Sequence, residues 1–294
     1  MPCPSLPAIP LLGTENGQLT EACDTLKRMT VWDPVTYLQF AGERSRPFVD
    51  LVGRIGATDP RTVVDLGCGP GQLTASLTMR WPDAQLLGID SSAEMIESAG
   101  KWAGGMVSFE VGDIRKWQPS QPVDVLVSNA ALQWVPGHRA LLPRWVTALS
   151  DDGWLAFQVP GNFNQPSHLV LHRLAADPRF TAATADVEWP EAFDPELYLG
   201  DLSQLGCRVE AWETTYLHVL SGPDPVYRWM SGTGARPVLQ ALPDELRAEF
   251  VADYQAALRE AYPEQPYGTV LPFRRVFVVA QKLPVSPPAA PAGR

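Results

Sequence analysis

No stretch of this chain gathers the roughly 20 consecutive apolar residues of a bilayer-crossing helix, although 45% of its 294 residues are hydrophobic. A membrane-spanning helix is therefore not expected. Cysteine is scarce: Cys3, Cys23, Cys68 and Cys207 lie far apart, without the paired spacing of a metal site. A reduced, cytoplasmic protein is the simplest expectation. Basic clusters are also missing, and a formal charge of −10 opposes the footprint that nucleic-acid binding requires. Any anionic ligand must then be held by a local set of arginines against the overall field. The 4 histidines offer no convincing nucleophile–base pair. His168 and His172 have helical i, i+4 spacing without a third ligand nearby, so a helix surface is expected and a metal is not. No obligate protein partner is evident.

What the chain does have is Val63-Val64-Asp65-Leu66-Gly67-Cys68-Gly69-Pro70-Gly71. Val63, Val64 and Leu66 make the apolar run of a parallel strand covered on both faces. Gly67, Gly69 and Gly71 then allow a sharp turn and the close approach of a ligand to the backbone. Gln72 to Arg80 suits a helix whose first N–H groups face that turn. Two common readings fail on spacing. The dinucleotide fingerprint Gly-x-Gly-x-x-Gly needs glycine where Gln72 stands. The phosphate loop of nucleotide triphosphatases needs a Lys-Ser or Lys-Thr pair, which does not follow here. The pattern acidic-x-Gly-x-Gly-x-Gly resembles the first motif of the Rossmann-like S-adenosylmethionine-dependent methyltransferases. That resemblance implies that Asp65 and the three glycines sit beside the methionine half of the cofactor, which carries no pyrophosphate.

Residues 1–28, with four prolines in the first ten and no periodicity, read as a disordered leader. No basic start precedes their apolar patch, which disfavours a signal peptide, and Met29 is an alternative initiator. Residues 284–294 are Pro/Ala-rich and read as a disordered tail, leaving 29–283 as one domain. Tyr37, Phe40, Phe48, Leu51, Val52 and Ile55 recur at roughly helical spacing, with Pro47 in an N-terminal turn. Further strands are expected at 84–89, ending at Asp90; at 106–111, ending near Asp113; at 123–128, ending at Asn129; and at 154–159. Ser91-Ser92-Ala93-Glu94 has the capping-box form, with Ser91 as the cap of a helix carrying Met95, Ile96 and Ala99. Steady alternation of strand and helix means a doubly wound parallel sheet. Later, 195–205 suits a helix stopped by Gly206, 208–219 an extended run, and 224–258 helices broken at Gly232-Thr233-Gly234. Arg275 to Gln281 closes the chain as a strand, so a helical insert (220–270) separates the last two strands in a natural lid position.

Asp90, 25 positions after Asp65, suits the two ribose hydroxyls of an adenosine, since a carboxylate accepts bidentate pairs. Asp113-Ile114 resembles the acidic–hydrophobic pair that meets adenine in the methyltransferase class. Asn129, Gln133 and Trp134 follow the fourth strand at the switch-point crevice, where Trp134 offers a ring face to a sulfonium cation or packs in the core.

From Trp32 to Leu283 the chain resembles, more narrowly, the trans-aconitate 2-methyltransferases. The resemblance rests on Trp32-Asp33-Pro34 with Tyr37-Leu38, Glu43-Arg44-Ser45-Arg46-Pro47, Asp65 to Gly71, and Gly88-Ile89-Asp90-Ser91-Ser92. It continues through Asp113-Ile114-Arg115, Trp117-Gln118-Pro119, Leu132-Gln133-Trp134, Thr233-Gly234 with Arg236-Pro237, and Arg275. Residues 1–28 have no counterpart in the family pattern, and 175–192 depart from it. The resemblance implies a mostly parallel, seven-stranded Rossmann-like sheet with a helical cap, and S-adenosyl-L-methionine as cofactor. It also implies methyl transfer to a carboxylate oxygen of a small polycarboxylate. On it, Asp65, Gly67, Gly69, Gly71, Asp90, Ser91, Met95, Asp113, Ile114 and Asn129 are assigned to the cofactor. Arg44, Arg46, Gln133, Trp134, Arg236 and Arg275 are assigned to the substrate, with Arg44 or Arg46 alternatively on the cofactor carboxylate.

A carboxylate with a pKa near ~4 is already ionised at neutral pH, so such a reaction needs no general base and no dedicated catalytic residue is expected. Alignment and desolvation carry it instead. Arginine forks suit the non-reacting carboxylates, because a guanidinium on the attacking one would drain its nucleophilicity. Three rivals stay open: a C- or O-methyltransferase of quinone or polyketide metabolism, a cofactor-binding regulator without turnover, and, more distantly, a dehydrogenase.

Overall fold

The computed structural model describes Gly42 and residues 45–284. The expectations for 1–28, for Met29, for the Trp32 and Tyr37 motifs, for Arg44 and for the tail from 285 onward lie outside the described residues. The strands are β1 (Thr62–Leu66), β2 (Gln85–Asp90), β3 (Val107–Val111), β4 (Val123–Asn129), β5 (Leu149–Pro160), β6 (Cys207–Leu220), β7 (Glu264–Gln265) and β8 (Gly268–Lys282). They form one sheet in the order β3-β2-β1-β4-β5-β8-β6, with the two-residue β7 on β8. Neighbours among β1 to β5 run parallel, whereas β8 is antiparallel to both β5 and β6. The order steps outward from β1 to β3, then restarts on the other side with β4. The switch point therefore lies between β1 and β4.

Central strands are apolar because both their faces are covered. Val125, Leu126 and Val127 of β4 are fully buried, each worth about 1.5–3 kcal/mol relative to exposure. Around the sheet lie α1 (Arg46–Gly53), α2 (Gln72–Ser76), α3 (Ala93–Ala99), α4 (Leu142–Ala148), α5 (Pro166–Ala175), α6 (Thr181–Thr184) and α7 (Pro195–Gln204). The connection from β6 to β8 holds α8 (Pro225–Ser231), α9 (Arg236–Ala241) and α10 (Asp244–Ala261). One core gathers the sheet with Trp145 and Tyr198 of α4 and α7. A second joins α5 to α8–α10 through Leu171, Phe180, Met230, Phe250 and Tyr254.

Three local differences from the sequence reading have physical causes. The helix after the glycine loop stops at Ser76 and tightens into a 3-10 turn at Leu77–Met79. There the hydroxyls of Ser76 and Thr78 donate to carbonyls three residues back. The cap of α3 is Ser92, not Ser91: Ser92 Oγ accepts the Met95 N–H at 3.2 Å, and the Ser91-x-x-Glu94 box is not used. Strand β8 starts at Gly268 rather than Arg275, because its antiparallel ladder with β6 runs unbroken from Thr269–Leu220 to Lys282–Cys207. The main path of the sheet holds the expected seven strands, and the two-residue β7 pairs with β8 off that path.

Candidate active site

The carboxyl ends of β1, β2, β3 and β4 share one edge of the sheet. There the glycine loop is strapped to β2: the N–H groups of Gly67 and Cys68 donate to Ile89 O at 2.7 and 3.0 Å. Gly67 has φ +82°, and a Cβ on it would stand 2.2 Å from the Ala131 Cβ, so only glycine lets β1 turn beneath the loop after β4. Gly69 has φ +54° and open space where its Cβ would be. Gly71 begins α2 in the left-handed region.

Asp65 is buried at the end of β1. Its Oδ2 accepts the Thr74 hydroxyl at 2.6 Å, while its buried Oδ1 has no hydrogen-bond partner. Burial pushes its carboxyl up to about 7; the Thr74 bond opposes that rise and the Asp90 carboxylate adds to it. Asp90, at the end of β2, accepts Gly69 N–H and Ser92 N–H at 2.9 Å each. Ser91 and Met95 lie exposed beyond it. After β3, the Arg115 guanidinium holds the Asp113 carboxyl below the usual range, donating from Nε at 3.0 Å, while Ile114 is buried. The Cys68 thiol is pushed up, first by burial and then by Asp65 and Asp90, and is no nucleophile.

Beside this edge opens a cavity of about 540 Å³. Asn129, Ala130, Gln133 and Trp134 wall it from the end of β4, Phe163 and His168 from α5 and its approach, and Trp229, Met230, Thr233, Gly234 and Arg236 from α8 and α9. Phe273 and Arg275 come from β8. Ala130 holds φ 54°, a left-handed conformation costly for a residue with a Cβ and common at functional turns. Arg275 is 5% exposed, its Cζ 4.5 Å from the centre of the Phe273 ring. A polar line crosses three adjacent strands: Gln158 Nε2 donates to Asn129 Oδ1 at 2.8 Å, and Arg275 Nη1 donates to Gln158 Oε1 at 3.4 Å. Gln133 Nε2 donates to Ala130 O at 2.6 Å, leaving its buried Oε1 without a partner. Arg236, the first residue of α9, is exposed on the wall and makes no ion pair among the described residues.

The structure thus brings Asn129, Gln133, Trp134, Arg236 and Arg275 to one cavity, and Asp65, the glycines and Asp90 to the adjoining loop. Arg46 stands apart: exposed at the start of α1, it is absent from the cavity wall and acts electrostatically on Tyr216. His168 is the reverse case. Expected on a helix surface, it is buried and lines the cavity, while its neighbour His172 stacks on Trp189. Sequence periodicity carried no signal for this, because the elements that bury His168 come from far along the chain.

Residues 63–153 match the family model of a methyltransferase domain. Over 260 residues the chain is 49% identical to the trans-aconitate 2-methyltransferase of Streptomyces avermitilis, covering 85% of this chain and 97% of that one. The same-named protein of Rhodococcus jostii is 50% identical over 258 residues, covering 85% and 99%. This chain belongs to the trans-aconitate 2-methyltransferase family. The solved YcgJ protein of Bacillus subtilis shares the fold at a TM-score of 0.53 and 16% identity, covering 83% of this chain and 100% of that one.

As a member of that family the chain is an S-adenosylmethionine-dependent methyltransferase, and its residues fit the cofactor. The orphaned Asp65 Oδ1 is a buried acceptor that awaits a donor, such as an ammonium group. The open space at Gly69 admits a ligand that a side chain would displace. The remaining acceptor positions of the Asp90 carboxylate suit hydroxyl donors.

Proposed function

We propose that this chain methylates a carboxylate oxygen of trans-aconitate, giving its monomethyl ester. The observation that carries the reading is the pair Arg236 and Arg275 on the wall of a cavity that also reaches Leu73 of the helix after the glycine loop. In a chain of net charge −10, two guanidinium groups gathered there favour a poly-anion against the overall field. The names of the relatives support the same acceptor.

When bound, the sulfonium supplies an electrophilic methyl group and leaves as a neutral thioether. Asp65, Asp90 and the glycine loop hold that cofactor, and Asn129 borders it at the end of β4. Met95, Asp113 and Ile114 fall to its adenosine half on the strength of the family resemblance. Arg236 and Arg275 hold the carboxylates that do not react, by charge-assisted bonds. An acceptor carboxylate is ionised at neutral pH and attacks without a base. The wall agrees: burial and His172 push His168 down to about 4, too weak a base to matter at neutral pH. Alignment, worth up to roughly 7–11 kcal/mol, then carries the rate. Phe163, Trp229, Met230 and Phe273 keep water from the attacking oxygen.

The partner in this reading is a small polycarboxylate, with no nucleic acid or membrane involved. Among the described residues no helix is long and apolar enough to cross a membrane. A cytoplasmic setting rests on the few, widely spaced cysteines. The test is a panel of small organic acids offered with S-adenosylmethionine and read by mass. A methyl ester of trans-aconitate in preference to mono- and dicarboxylates is expected; methylation of hydroxyl or ring-carbon acceptors instead would overturn the reading.

A further inference from the structure

Among the described residues, His168 is the one titratable side chain on the cavity wall that the proposed chemistry leaves without a task. Its position is tightly determined. Pro166 opens α5 and fixes its first turn. Next to it, Ser167 is clamped on both backbone groups: its N–H donates to Tyr262 Oη at 3.1 Å, and its carbonyl accepts from Tyr254 Oη at 2.8 Å. The His168 ring meets Phe163 edge-on, with centroids 5.2 Å apart. Across the cavity wall it lies against Gly234, where any Cβ would come within 3.0 Å of Nε2. That glycine belongs to the turn that presents Arg236.

The two ring nitrogens are not equivalent. Ser167 Oγ lies 3.4 Å from Nδ1, whereas Nε2 has no hydrogen-bond partner among the described residues. His168 is only 5% exposed. Nε2 lies beside Gly234 of the cavity wall and has no protein acceptor of its own among the described residues, so it is available to a ligand there. In the tautomer in which the Ser167 hydroxyl donates to Nδ1, the ring carries its proton on Nε2 and is a donor toward the cavity.

We propose that His168 is a specificity-determining residue, its Nε2–H donating to a carboxylate of the acceptor beside Arg236. The inference rests on the acceptor reading above. Such a donor does what a third arginine does not: it orients a carboxylate oxygen without placing a full positive charge on it. The ring is uncharged at neutral pH, since burial holds it far below the usual histidine range. Three carboxylates in one small cavity are thereby divided between charged and uncharged donors.

The test compares H168L, which keeps the bulk and loses the donor, with H168Q, which keeps a neutral donor. Acceptors are trans-aconitate and the three dicarboxylates that each lack one of its carboxylates, mesaconate, glutaconate and itaconate, read as substrates or as competitive inhibitors. A hydrogen bond to a charged group predicts that H168L raises KM for trans-aconitate by roughly 10- to 100-fold with a smaller change in kcat. Cofactor affinity by titration should stay within about twofold, and H168Q should recover most of the loss. One dicarboxylate, the one lacking the contacted group, should be nearly indifferent to H168L. Should H168L not fold, H168N, with its donor drawn back from the cavity, must show the same acceptor-selective loss. Equal losses for all four acids, or a parallel loss of cofactor affinity, would make the role structural and overturn the assignment, as would an unchanged KM. A wild type that esterifies none of the acids removes the acceptor reading and this assignment with it; an active wild type with an indifferent H168L removes the assignment alone.

Discussion

The Asp90 carboxylate accepts the backbone N–H of Gly69 at 2.9 Å, which fastens the end of the second strand to the glycine loop of the first. Its other oxygen takes the N–H of Ser92 and so also sets the start of α3. One side chain therefore shapes the loop and offers acceptors to a ligand. Asp90→Ala should lower cofactor affinity by at least about tenfold, the scale of a lost charged hydrogen bond. It should also loosen the loop, visible as faster amide exchange at Gly69. Unchanged affinity in an equilibrium titration would remove Asp90 from the cofactor site.

Asp65 links the site to pH. Its carboxyl lies at about 7 instead of 3.8, which favours the folded chain where the unfolded residue is still protonated. That contribution is complete below about 3.8 and is lost as pH rises toward 7. Asn at this position stays neutral and keeps an acceptor for Thr74. Cofactor-free D65N should therefore melt about as the wild type does at pH 4 and at least about 3 °C higher at pH 8. It should meanwhile bind the cofactor more weakly, because an amide does not pair with an ammonium group. Parallel melting curves across that range would contradict the burial argument.

The two arginines should separate acceptor from cofactor. Arg236→Ala and Arg275→Ala should each weaken trans-aconitate by roughly 10- to 100-fold and leave S-adenosylmethionine affinity nearly unchanged. Arg275→Ala should also lower the melting temperature, since it strips a buried partner from Gln158. Arg46→Ala, outside the cavity wall, should do far less to the acceptor. Equal losses of both ligands in isothermal titrations would count against the assignment.

Alanine at Gly67 and at Gly69 should differ. Both positions are left-handed, which costs a side chain about 1–2 kcal/mol. Only Gly67 also meets Ala131, at 2.2 Å. Thermal melts should show G69A a few degrees below wild type and G67A clearly lower still. G69A should lose cofactor affinity out of proportion to its stability, because its new methyl fills the open side of the loop.

Much of this architecture is written locally. Val63 to Leu66, 84–89 and 123–128 are short apolar runs between turn residues, which is how strands buried on both faces must read. The acidic residues at their ends follow from where parallel strands deliver their carboxyl termini. What stayed hidden depends on distant partners. Ser92 rather than Ser91 caps α3 because Asp90 has already bent the backbone at Ser92 N–H. The early half of β8 is amphipathic and becomes a strand only on its long ladder with β6. Arg275 reaches the cavity and Arg46 does not, a matter of register that two arginines in a sequence do not disclose. His168 lies against Gly234, and Tyr254 and Tyr262 clamp the backbone of Ser167 beside it, all more than sixty positions away.

The amide of Gln158, wholly buried between Asn129 and Arg275, has a head and a tail, and both are engaged. Its nitrogen faces Asn129 and its oxygen faces the guanidinium, so the Asn129 amide must keep its own NH2 turned outward as a donor. Glutamate at 158 would bring a second oxygen where a nitrogen now sits, and Asn129 would have to roll over and show its carbonyl instead. Whether the crevice floor gives or takes hydrogen at the end of β4 is thus decided one strand away, by a residue set behind the cavity wall.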